Sequence, residues 1–192
     1  MANITLKLNA SDLAKIYEKT ALLEKNLLNK DGEVYKYVLT IGDGYTEAVI
    51  SGMGTTVTGV ATLKSFLGEA KSVKWKPNTK ATIKKKAEMG WTLEVWKASG
   101  ETEEATRDSF KITSSGTKID MFAGIDGTRF AEAFNHAYRT EFGVAASEGQ
   151  TKFNGRALFT LLNVLLSEKS EVIRKGFYKA VEKEIKKIKW GS

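Results

Sequence analysis

A chain of 192 residues, 42% hydrophobic and 28% charged, is long enough to bury its own core. It lies too near globular averages for wholesale disorder, a collagen-like repeat or a solenoid. The absence of cysteine excludes disulfide frameworks, cysteine-ligated zinc, iron-sulfur clusters and thiol nucleophiles, and permits a reducing compartment. A net charge of +7 points to an acidic partner, nucleic acid or the acidic face of another protein.

Taken in chain order, Ile4, Leu6 and Leu8 alternate with Thr5 and Lys7 as a short strand. Met1 to Leu8 does not read as a secretory leader, and no segment approaches the ~20 apolar residues of a membrane span. Asn9 or Ser11 caps a helix over 11–29, which Lys30-Asp31-Gly32 stops. Residues 35–41 and 45–50, flanking Gly42-Asp43-Gly44, predict a β-hairpin, with a helix through 45–51 as the rival. The glycine- and threonine-rich stretch 52–59 extends this into a flexible loop or arm around 42–62. A short helix is expected over 60–70, and Trp75 and Pro77 then break the pattern. Asn78 or Thr79 starts a helix through Ile83 to Lys86, and Trp91 to Val95 alternates like a strand.

Two antiparallel strands are expected over 109–113 and 118–123, followed by a helix over 131–141 that Phe142-Gly143 ends, and a polar loop over 144–152. The block from Ala157 to Leu166 is apolar nearly all round and predicts a buried core helix. Ser167 or Ser170 starts a long C-terminal amphipathic helix with Ile173, Phe177, Ala180, Val181, Ile185 and Ile188 on one stripe. Lys186, Lys187 and Lys189 stand near its end, where cations complement the helix dipole. The expected class is α+β, an antiparallel or mixed β-sheet packed with helices, as one domain over 1–190. Gly191-Ser192 reads as an expression-vector remnant and stays outside the fold.

Little in the sequence spells out chemistry. His136, the single histidine, has no cysteine or second histidine with which to share a metal, and reads as a surface or half-buried residue. Gly42-Asp43-Gly44 and Gly52-Met53-Gly54 begin like dinucleotide loops, but Glu47 and Val57 occupy the third glycine position, so these read as turn glycines. Glu101, Glu103, Glu104, Asp108, Asp120 and Asp126 match no magnesium or acid-base spacing. No catalytic residue, metal ligand or cofactor is assigned.

Charge is segregated along the chain. Seven lysines and no acid fall between positions 71 and 86, whereas Glu101 to Asp108 holds four acids against Arg107 alone. Lys71, Lys74, Trp75, Lys76, Lys80, Lys84, Lys85 and Lys86 are candidate contacts to a partner or to DNA, since cations interleaved with tryptophans (Trp75, Trp91, Trp96) suit phosphates and stacked bases. Glu101, Glu103, Glu104, Glu141 and Arg156 are candidate contacts between copies of the chain. Tyr138 and Phe142, at i,i+4, read as core aromatics, and Glu141 is placed to reach a neighbouring backbone or the Arg156 guanidinium.

Four pieces then occur in order: Trp75-Lys76-Pro77 with Thr82-Ile83-Lys84-Lys85-Lys86; Ser99-Gly100 with Asp108-Ser109-Phe110; Ala137-Tyr138-Arg139-Thr140-Glu141-Phe142-Gly143; and Arg156-Ala157-Leu158 before an amphipathic helix. Together they resemble the tail-completion and virion-morphogenesis proteins, the neck and head-to-tail joining proteins, of Mu-like and lambdoid long-tailed phages. Ser99 stands where that family usually has threonine and Phe110 where it has isoleucine, and the family's proline between Arg156 and Ala157 is missing. The resemblance implies a non-enzymatic virion subunit with a helix-packed sheet. It also implies assembly as a ring, commonly of six, at the junction of tail and connector, with adjacent tail or neck proteins as partners, DNA nearby and no membrane. The alternative is a small basic nucleic-acid-binding accessory protein.

Overall fold

The computed structural model describes residues 10–54, 59–63, 71–94, 96, 100–115, 118–144, 153–156 and 158–188. The strand expected over 4–8 and the C-terminal pair 191–192 lie outside them. In chain order the elements are α1 (Ala10–Leu27), α2 (Glu33–Met53), β1 (Val60–Leu63), β2 (Lys71–Lys74), α3 (Lys80–Glu88), α4 (Glu101–Ser109), β3 (Lys111–Ser115), β4 (Lys118–Phe122), α5 (Ala131–Phe142), β5 (Gly143–Val144), β6 (Phe153–Asn154), α6 (Phe159–Glu168) and α7 (Ser170–Lys187). The class is α+β with a long C-terminal helix, as the sequence suggests. The strands form three two-stranded sheets, β1-β2, β3-β4 and β5-β6, among the described residues. β1 and β2 run antiparallel with Val60 opposite Lys74 and Leu63 opposite Lys71.

The chain forms two compact units. One consists of residues 1–39, 113–120 and 172–192. Here α7 buries Ala180 and Glu184, and Ile188 just after it and Val34 near the start of α2 are likewise buried. The Tyr37 hydroxyl donates to the Ile173 carbonyl at 2.9 Å, and the ring covers Gly176, where a Cβ would meet the tyrosine Oη at 2.2 Å. The Glu184 carboxylate accepts the Glu33 backbone N–H at 2.5 Å and the Lys187 ammonium at 2.8 Å. It thereby caps the start of α2 with a group borrowed from another helix. Burial alone pushes the Glu184 carboxyl up, but these two donors outweigh it and hold the group below the usual range.

The second unit, residues 40–112 and 121–171, is built on Tyr45, Ala48, Val49 and Met53 of α2. These pack with Leu63, Trp96 and Ala105, with Ile125, Ala133 and Ala137, and with Leu158 and Leu162. Trp96 is fully buried, its ring edge-on to Phe159 at 6.0 Å.

Four expectations are corrected. The hairpin over 35–50, and with it the arm from 42 to 53, is the single helix α2. Gly42 and Gly52 serve close packing there: a Cβ on Gly42 would overlap the Phe110 ring, and one on Gly52 would overlap Leu158 and meet Leu63 at 2.6 Å. The helix expected over 60–70 begins instead as strand β1, fixed by its pairing with β2; residues 64–70 lie outside the described set. Trp91 to Glu94 forms no strand, because Trp91 N–H turns back to the Lys86 carbonyl at 2.8 Å and Asn78 Nδ2 donates to the Leu93 and Glu94 carbonyls. In α6 only Leu162 is buried, while Val164 stays 49% exposed, so that helix is covered on one face rather than all round.

Candidate assembly surface

Helix α5 has two unlike faces. Ala133, Ala137, Thr140 and Glu141 point inward, and the small alanines at i,i+4 let the helix approach the core closely. On the outer side Phe134, Tyr138 and Phe142 recur every fourth residue, 42%, 56% and 64% exposed. Their rings form a continuous row, with centroids 6.4 Å apart between Phe134 and Tyr138 and 4.8 Å between Tyr138 and Phe142. The reading of Tyr138 and Phe142 as core is therefore corrected. Their spacing does put them on one face, but the inward face is taken by the alanines. Phe134, which the sequence reading passed over, shares the i,i+4 spacing that marks the row. Beside it lies a groove of ≈ 250 Å³ lined by Ile125, Ala137, Phe159 and Asn163 together with the aromatics.

Glu141 explains how this surface is held. Leu158, the N-cap of α6, offers no side-chain acceptor, so the first N–H groups of α6 need one from elsewhere. Glu141 supplies it: Oε2 accepts from Leu158 N at 2.7 Å and Phe159 N at 3.0 Å, and Oε1 from Thr160 N at 2.8 Å. A buried carboxylate is tolerable here because three N–H groups and the positive end of the helix dipole meet it. Gly143 ends α5 with φ 83°, in the left-handed region that favours glycine, and β5 pairs antiparallel with β6. Arg156 N–H then donates to the Thr140 carbonyl at 2.7 Å, bringing the start of α6 alongside the end of α5. Tyr45, inside the same unit, donates to Asn163 Oδ1 at 2.8 Å, and burial together with the Glu141 charge pushes its hydroxyl up to about 12.

Of the basic candidates, Lys71 opens β2, Lys74 and Lys76 are exposed on either side of half-buried Trp75, and Lys80, Lys84 and Lys85 stand exposed on α3. The Thr79 hydroxyl caps that helix by accepting from Thr82 N at 3.2 Å. Lys86 differs: it is 9% exposed and its ammonium donates to the Glu94 carbonyl at 2.5 Å. Burial, followed by the nearby Arg156 charge, holds Lys86 below the usual lysine range, against the opposing pull of Glu94. Trp96 is buried and offers no face for stacking.

Of the acidic candidates, Glu101 and Glu104 are exposed on α4, and Glu103 pairs with Arg107 at 3.6 Å. Arg107 also bonds Glu47 of α2. Glu141 and Arg156 are buried, and their polar groups are used within the chain. Arg156 Nε donates to the Lys76 carbonyl at 3.0 Å, and burial lowers the pKa of its guanidinium. Of the two partners the sequence offers Glu141, the neighbouring backbone is met by three hydrogen bonds at the start of α6.

His136 is exposed at its residue surface; desolvation lowers its pKa, opposed by a hydrogen bond with the Trp96 backbone. No group of three or more metal-ligating side chains occurs among the described residues. No described helix is long and apolar enough to cross a membrane. No protein-family profile, curated protein or solved structure matches the chain.

Proposed function

We propose that the chain is a non-enzymatic structural subunit of a long-tailed phage virion, a tail-completion or neck protein that assembles as a ring where tail meets connector. The observation that carries this reading is the division of labour within Tyr138-Arg139-Thr140-Glu141-Phe142-Gly143, a segment that bears the family resemblance. Glu141 and Gly143 have work inside the fold, capping α6 and ending α5. Tyr138 and Phe142 present large apolar rings to solvent, continuous with Phe134. Clustered exposed aromatics are characteristic of protein-protein contact surfaces, where they bury area at low entropic cost. The subunit works by binding copies of itself and adjacent tail or neck proteins, and resides in the virion after assembly in the host cytoplasm.

Cryo-electron microscopy of the particle from the source of this gene tests the reading. Ring density at the tail junction that accommodates this chain, with the α5 aromatics at a contact, is the expected result; absence of the chain from the particle refutes it.

A second reading, a small basic nucleic-acid-binding protein, is favoured by the exposed lysines of α3. It requires DNA affinity that falls steeply with added salt, measurable by fluorescence anisotropy; no binding in low salt ends it.

A further inference from the structure

A groove of ≈ 390 Å³ runs between α4 and α5. Glu101 and Glu104 line it from α4 and Glu132 from α5, and Ala105, Phe130 and Ala133 give it an apolar floor. Arg129 also lines it, but its guanidinium donates to the Asp108 carbonyl at 3.0 Å and lies over the Phe130 ring. The groove is therefore acidic on balance, and all three of its glutamates are exposed without an ion pair to any described cation.

The same chain carries the complement. Helix α3 exposes Lys80, Ala81, Lys84 and Lys85. Lys84, Lys85 and Ala81 share one face at i+3 and i+4 spacing, and Lys80 precedes Lys84 by one turn. No described acid pairs with Lys80 or Lys85, and Lys84 reaches only Glu88, at 3.9 Å with both side chains largely in solvent. Lys80 and Lys84 are separated by ~6 Å of helix rise and Glu101 and Glu104 by ~4.5 Å, distances that flexible lysine stems bridge easily. A small residue, Ala81, lies between the lysines where a helix would approach the groove's floor.

We infer that this groove takes helix α3 of a second copy of the chain. The inference deepens the assembly reading proposed above and rests on it. Charge complementarity singles out the occupant: a phosphate backbone suits α3 but is repelled by the groove, whereas a second copy satisfies both at once. Contact between two unlike patches is heterologous. Each added copy leaves one groove and one α3 free until a ring closes.

A charge-swap experiment on the full chain tests this. One variant carries Glu101→Lys, Glu104→Lys and Glu132→Lys; a second carries Lys80→Glu, Lys84→Glu and Lys85→Glu; a third carries all six changes. Circular dichroism checks that each is folded, and neutral Gln counterparts replace any that is not. Sedimentation velocity at about 0.05 M and about 0.5 M salt reads association, which for wild type should weaken ~10-fold or more at the higher salt. Each single-patch variant should be monomeric alone, the two mixed together should associate, and the six-fold variant should associate with itself.

A wild type that is monomeric at low salt overturns the inference, as does association that the reversals leave unchanged. So does a second variant that loses binding to duplex DNA but keeps its assembly. Swap rescue with the chain absent from phage particles would sink the tail-completion reading and leave this contact standing. A ring in the particle without swap rescue would do the reverse.

Discussion

Replacing Glu141 by alanine tests the account of how α5 and α6 are joined. The substitution removes the acceptor for three N–H groups at the start of α6. Leu158 is fully buried, so its N–H loses its partner with no water to replace it, at ~2–3 kcal/mol. Phe159 is half-buried and Thr160 exposed, so their N–H groups recover hydration, and the loss there is ~0.5–1 kcal/mol each. The expected total is ~3–5 kcal/mol, which for a chain of this size lowers Tm by ~6–20 °C. Glu141→Gln keeps an acceptor oxygen but turns an amide donor toward the remaining N–H groups, and should cost about half as much. Urea unfolding followed by tryptophan emission is well suited to the measurement, because Trp96 lies against Phe159 at the start of α6. Asn135→Ala, exposed on the same helix, serves as the control and should stay within ~0.5 kcal/mol. An alanine variant as stable as that control would refute the idea that this carboxylate holds α6.

Three further outcomes are expected. Gly176→Ala and Gly42→Ala should each destabilise by ~1–3 kcal/mol in thermal melts, despite the ~1 kcal/mol that alanine gains in a helix interior, because the added Cβ overlaps the Tyr37 hydroxyl in one case and the Phe110 ring in the other. Glu184 has a lowered folded pKa, so its contribution to stability is fully present above the unfolded value near 4.5 and is lost as pH falls through the folded one; Glu184→Gln should flatten the acid limb of a stability-pH curve below about 4.5 and leave its neutral limb parallel to wild type. Tyr138→Ser with Phe142→Ser should leave the melting temperature of the isolated chain within ~2 °C of wild type while impairing incorporation into particles, read by complementation of a phage lacking the gene; a large loss of stability would mean that these rings belong to the fold.

Where local signals agreed with one another, the sequence was enough. Thr79 before a Lys-rich run and Phe142-Gly143 after Tyr138 each mark a helix end that a cap hydrogen bond or a left-handed backbone then fixes, and the apolar stripe after Ser170 marks α7, so α3, α5 and α7 were legible. The strand pair β3-β4 was legible in outline, although Ser109, expected in the first strand, ends α4, and Ser114, expected in the turn, lies within β3. Charge segregation was visible too, because net charge over a run of residues does not depend on the fold.

What only the tertiary structure decided was which side of each element faces the core. Gly42 and Gly52 look like turn residues in isolation; in α2 they are the points where Phe110, Leu158 and Leu63 come too close for a side chain, a fact set in part by residues distant in the chain. Tyr138 and Phe142 are hydrophobic enough for a core, yet Ala133 and Ala137 take the inward face of α5 because close helix packing there leaves no room for rings. Lys86 belongs by sequence to an exposed basic run, but its position on α3 turns it to the half-buried Glu94 carbonyl, whereas Lys84 and Lys85 stay exposed. Residue type and spacing determine that a face exists, whereas the neighbours that cover it are assembled from distant segments, and those long-range contacts leave no local signature in the chain.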